Sequence, residues 1–70
     1  SHAYRERHVG KTSSVLFEES KKINGVTYQI GHTKEYIKIA LPTDEVLDNT
    51  IVEVTPKLFL QNDILIASRN

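Results

Sequence analysis

The chain contains no cysteine, so neither disulfides nor a thiolate-held metal can supplement its core. Its three histidines, His2, His8 and His32, are too far apart in sequence to form a recognisable metal-ligand cluster. Long apolar runs are also missing. The longest, such as Ile39-Ala40-Leu41 and Leu58-Phe59-Leu60, are far too short to span a bilayer, and the N-terminus lacks the apolar stretch of a signal peptide. These absences lead to the expectation of a cytoplasmic protein without a membrane partner, and the lack of cysteine fits a reducing compartment. There is no excess of either charge: nine Lys+Arg balance nine Asp+Glu for a formal net charge of zero. That excludes the strongly basic balance of a self-sufficient nucleic-acid binder and requires any such role to rest on a local basic face. Internal repeats and low-complexity stretches are lacking too. A chain of 70 residues is near the lower limit for independent folding, burying only about 60% of its unfolded surface. One small apolar core must hold it together.

What is present divides into two parts. Residues 1–8 are polar and charged. Ser1-His2 is expected to be a remnant of cloning, and Ala3 to His8 to be a linker or the last turns of a preceding helix, stopped by Gly10 in a left-handed conformation. Residues 9–70 then carry five short runs rich in β-branched residues at intervals of about ten, the pattern of a sandwich or small barrel. The first two, Thr12 to Glu18 and Val26 to His32, are joined through Asn24-Gly25, a pair suited to a tight hairpin. In the second run Val26, Tyr28 and Ile30 share one face and Thr27 and Gln29 the other.

The third run, Tyr36 to Leu41, alternates in the same way: Ile37, Ile39 and Leu41 on one side, Tyr36, Lys38 and Ala40 on the other. Pro42 ends it. Thr43 to Asn49 predicts a helical turn capped by Thr43, with Val46 or Leu47 plugging a barrel end. Thr50 to Thr55 and Ile64 to Ser68 complete the set, with Val52, Val54, Leu65 and Ala67 facing inward. Closure removes the unpaired edges of an open sheet. The expected fold is all-β, a small five-stranded antiparallel barrel of the OB-like kind with a short N-terminal helical turn.

Chemistry finds little support. Ser13, Ser14, Ser20 and Ser68 have no histidine near them in sequence, and His32 stands alone at a strand end, the usual setting of a surface or hydrogen-bonding residue. The pairs Glu18-Glu19 and Asp44-Glu45 are adjacent, so in a strand their side chains diverge. This fragment is therefore not expected to be an enzyme by itself. The most informative segment is Gly31-His32-Thr33-Lys34-Glu35-Tyr36-Ile37-Lys38-Ile39. It offers cations and backbone donors for phosphate and a ring face for a base, as unpaired RNA requires. Thr33, Lys34, Tyr36 and Lys38 are the RNA-binding candidates, and Gly31 serves backbone geometry. By themselves the residue types fit better a hairpin turn with solvated lysines and a tyrosine that covers the barrel edge.

That segment resembles the glycine-x-threonine-x-x-tyrosine-x-x-valine/isoleucine element of TRAM domains, which end bacterial tRNA methylthiotransferases. Val9-Gly10-Lys11-Thr12-Ser13-Ser14-Val15-Leu16-Phe17-Glu18-Glu19 is similar to the opening strand of the same family, and the two stand in the expected order. The resemblance covers about Val9 to Ala67 and is nearest to the subgroup acting on threonylcarbamoyladenosine beside the anticodon. It implies a barrel that holds tRNA for a radical S-adenosylmethionine domain of the parent enzyme. It also implies S-adenosylmethionine and 4Fe-4S clusters for that parent, and no cofactor in this fragment. Clusters need cysteine thiolates, which this chain does not have. The family often places asparagine before the tyrosine. Here Glu35 stands there, and a carboxylate repels phosphate.

A different class of function is a protein-docking barrel that packs on the parent's catalytic domain. Leu58, Phe59 and Leu60 are its candidates. Period two buries at most one face of that run, leaving the rest for an interdomain contact, unless the run belongs to a longer strand covered on both faces.

Overall fold

The computed structural model describes residues 2–70; Ser1, half of the expected cloning remnant, lies outside them. A five-residue helix α1 (His2–Glu6) leads through turns to Gly10, whose φ of 84° supplies the expected left-handed stop. Five strands follow: β1 (Ser13–Ile23), β2 (Val26–His32), β3 (Lys38–Pro42), β4 (Thr50–Gln61) and β5 (Ile64–Arg69). They close into a barrel in the order β1-β2-β3-β5-β4. Four seams are antiparallel and the β3–β5 seam is parallel. One such exception is unavoidable, because strand directions can alternate around a closed ring only if the number of strands is even.

The β1–β2 hairpin turns on Asn24 and Gly25, both at positive φ, with Ile23 opposite Val26. Two positive-φ residues in a two-residue loop match the right-handed twist of the flanking strands. The barrel is filled by Val15, Phe17, Ile37, Ile39, Leu41, Val52, Val54, Leu65 and Ala67, with Leu47 packed among them and Val9 and Phe59 at its margin. Val52, Val54, Leu65 and Ala67 face inward as expected.

Three expectations need correction, and alternation had left open which face of β2 turns inward. In β2 the apolar face is the outer one. Gly31 lies opposite the buried Phe17, so Gly31 and Gln29 face inward while Tyr28 and Ile30 face out. There they join Ala40 and Ile64 in a second apolar cluster, flanked by Ile23, Leu60 and Ile66. The Thr43–Asn49 connection contains no helix, because its backbone groups bond to the barrel instead of to one another four residues apart. Thr43 N donates to Thr27 O at 3.2 Å and Asn49 N to Phe17 O at 2.8 Å. Thr43 Oγ1 accepts from Glu45 N at 3.1 Å, and Leu47, not the exposed Val46, is the buried plug.

β4 continues well past Thr55, with register shifts between Pro56 and Leu58 and between Phe59 and Gln61. A bulge lets a strand tolerate a proline that cannot donate to the ladder. Leu58-Phe59-Leu60 therefore lies within a strand rather than in a connection. Finally, β3 begins at Lys38, two residues later than expected, and Tyr36 belongs to the preceding loop. No helix among the described residues is long and apolar enough to cross a membrane.

The ends of the barrel strands are tied by polar contacts of unequal value. Asn70 Nδ2 donates to Thr12 Oγ1 at 3.1 Å, and Thr55 Oγ1 donates to Asn70 Oδ1 at 2.7 Å, linking β4, the C-terminus and the entrance to β1. The Arg69–Glu45 ion pair is short, at 2.6 Å, but both side chains are about half exposed. Glu45→Ala is expected to change stability by less than about 1 kcal/mol in a urea titration, since water and salt screen such a pair.

Candidate nucleic-acid interface

Thr33 organises the β2–β3 loop. Its backbone N–H donates to Ile37 O at 3.0 Å and its carbonyl accepts from Tyr36 N at 2.9 Å. Its hydroxyl oxygen accepts from the backbone N–H groups of Glu35 and Ile37, each at 3.2 Å. Only 2% of Thr33 is exposed. Thr33 was expected to contact RNA. Its burial and the two backbone bonds its hydroxyl oxygen accepts make it the residue that shapes the loop.

The loop so closed holds Lys34, Glu35 and Tyr36, and the third position of such a hairpin loop takes the left-handed conformation, normally that of glycine. Here it is Tyr36, at φ 63°. A side chain in that region costs about 1–2 kcal/mol relative to the right-handed one. The ring is 81% exposed and stacks on His32, with centroids 5.4 Å apart and planes 15° from parallel. His32 Nδ1 lies 3.3 Å from Glu18 Oε1 across the β1–β2 seam. Glu18, His32 and Tyr36 thus form one chain of contacts, which orients the outermost ring.

Backbone register extends this platform sideways. Lys38 is opposite His32, His32 opposite Leu16, and Leu16 opposite Ile51, a row across β3, β2, β1 and β4 on the outer surface. Leu16 and Ile51 are exposed at 38% and 67%. Lys34 and Lys38 are exposed, Lys34 lining the same cavity as His32 and Lys38 lying opposite His32 across the β2–β3 seam. The expected placement of Tyr36 and Lys38 on one strand face is corrected: the two share a region because a loop, not alternation, presents the tyrosine.

Sequence reading missed His32, Leu16 and Ile51 as members of this surface. The signal was available for the two aliphatics. With Val15 and Phe17 inward, Leu16 must face out, and with Val52 inward Ile51 must too. For His32 no sequence signal indicated the stack. Among the docking candidates, only Leu58 is largely exposed, at 56%; Phe59 packs on the barrel core and Leu60 on the outer cluster.

Among the described residues no group of three or more His, Asp or Glu side chains could hold a metal ion. Without cysteine, these residues do not fit the iron–sulfur clusters implied for a parent enzyme. No protein-family model matches the chain, and no curated protein matches it.

Proposed function

We propose that this chain is an RNA-binding accessory module of the TRAM type, which holds tRNA near the anticodon for a methylthiotransferase whose radical S-adenosylmethionine domain is its neighbour. The observation that carries the RNA reading is Tyr36: an aromatic residue in a left-handed position, almost fully exposed, stacked on His32 and flanked by Lys34 and Lys38. An exposed ring near lysines is what a stacking platform requires, since a base needs a free π-face and a phosphate needs a nearby cation, and backbone strain held at an exposed residue is a common mark of a functional position. The two TRAM-like sequence elements support the narrower reading: one builds the first half of β1 with its approach, the other the β2–β3 loop and the start of β3.

Tyr36→Gly separates binding from folding. Glycine relieves the left-handed strain, so the variant is expected to keep its urea midpoint, while tRNA binding weakens by about 1–3 kcal/mol with little change in salt dependence. Lys34→Ala and Lys38→Ala should each lower the salt slope by roughly one unit. For the isolated, charge-neutral module we expect a Kd of about 10⁻⁴ to 10⁻⁶ M. Folded variants that bind tRNA as tightly as the unmodified chain would end the assignment. The exposed Leu58 supports a second reading, a barrel docked on a protein domain. That reading gains if Leu58→Ser, with RNA affinity unchanged, weakens association with the parent enzyme's catalytic domain.

A further inference from the structure

We infer that the same outer face carries a second nucleotide site beside the Tyr36–His32 stack, selective for a base that bears an exocyclic amino group; this rests on the RNA reading above. The site is a cavity of about 220 Å³ lined by Ser14, Leu16, His32, Thr33, Lys34 and Ile51. That volume lies below the range of roughly 300–1,000 Å³ that holds drug-sized ligands and suits one flat base. Leu16 and Ile51 form its apolar floor, adjacent across the β1–β4 seam. His32 is shared with the first site, so a base seated on Leu16 and Ile51 follows directly from one stacked on Tyr36. From Lys38 to Ile51 the row crosses three inter-strand spacings, about 14 Å, enough for two consecutive unstacked nucleotides.

Charge gives the strand its orientation on this face. Lys34 lines the cavity on the loop side and Lys38 ends the row on β3. Glu18 faces His32, Glu35 adjoins Lys34 in the loop, and Glu53 stands opposite Ser14 on β4. Phosphate therefore has its clearest approach beside Lys38, because Glu35 offsets Lys34 and Glu53 disfavours an anion on the β4 side. Ser14 lines the cavity, and its hydroxyl donates to Glu53 Oε2, so the carboxylate adjoins the lining on the β4 side. A carboxylate only accepts. A base pointing toward β4 therefore meets an acceptor that matches the amino group of cytosine or adenine and repels the carbonyl that uracil presents at the equivalent position.

The test is fluorescence anisotropy with labelled six-nucleotide oligo(C) and oligo(U) on the intact chain, each variant first shown to be folded by circular dichroism. Oligo(C) should bind roughly five- to tenfold more tightly than oligo(U), the lower part of the range for one good base contact. Glu53→Gln should bring the two within about twofold, because an amide both donates and accepts. Ile51→Thr, which keeps the β-branch of an exposed strand residue, should weaken oligo(C) about threefold through the loss of apolar contact. Equal binding of the two oligomers by the unmodified chain would overturn the selectivity. If Tyr36→Gly weakens oligo(C) while Ile51→Thr and Glu53→Gln do not, the second site is wrong and the RNA reading stands. If the folded chain binds neither oligomer nor tRNA, the RNA reading itself falls. Loss of self-association in Ile51→Thr, seen by sedimentation with RNA affinity unchanged, would give the apolar pair to a protein partner instead.

Discussion

Gly31→Ala should destabilise the barrel by about 3 kcal/mol, at the upper end for an inserted methyl group that has no room. A Cβ built on Gly31 would lie 2.3 Å from Leu16 O and 2.8 Å from both Leu16 C and Phe17 Cα. All three atoms are backbone, so no rotamer change can relieve the overlap. β1 would have to move off β2 at the Phe17–Gly31 pair, next to the register shift between Phe17 and Glu19. A domain of this size has only about 4–10 kcal/mol of total stability. The variant should therefore show a far lower urea midpoint. Gly25→Ala is the control: its Cβ meets nothing within 4 Å, and only its φ of 81° opposes a side chain. That change should cost about 1 kcal/mol. Equal losses at the two positions would show that close approach is not what requires glycine at 31.

The second large effect is expected at Gln29, which is 1% exposed yet polar. Its Oε1 accepts from Ser20 Oγ at 2.9 Å and from Leu47 N at 3.3 Å, and its Nε2 donates to Thr43 O at 3.3 Å. One amide thereby fastens the β3–β4 connection to β1 and β2 and holds Leu47 against the core. Gln29→Leu preserves approximate volume but leaves the buried Leu47 N–H without its acceptor. We expect a loss of about 2–4 kcal/mol, since an unsatisfied buried group costs roughly 1–3 kcal/mol and the other two bonds go with it. Hydrogen exchange distinguishes this from a general loss of packing. The Leu47 amide should lose protection by more than the Val54 amide in the β4 core. Uniform loss across both would count against a local fastening role.

The strained Tyr36 and these two stability sites lie close together in the chain, and their roles differ in kind. Gly31 and Gln29 hold β2 against β1 and the β3–β4 connection, whereas Tyr36 contributes an exposed ring at the cost of local strain. A stable platform needs the former so that it can tolerate the latter.

The alternation of Thr50 to Thr55 was sufficient to mark Val52 and Val54 as inward residues, because period two sets them against the charged Glu53 on the other face, and the expected inward placement of Leu65 and Ala67 was met as well. Asn24-Gly25 determined the first hairpin for an equally local reason, the positive φ that both positions need. The resemblance of the Gly31–Ile39 segment singled out the loop that carries Lys34 and Tyr36. None of these depended on distant parts of the chain. Tertiary structure alone decided that Gln29 faces inward, because three of its partners, Ser20, Thr43 and Leu47, lie on other elements. It decided that Thr33 is buried, and that Tyr36 leaves the strand for a left-handed loop position, since hydrogen bonds from Thr33 close the loop around it. It also brought Leu16 and Ile51 beside His32. Alternation assigns a residue to a face of its own strand, but only the register between strands determines which residues of four strands share one surface.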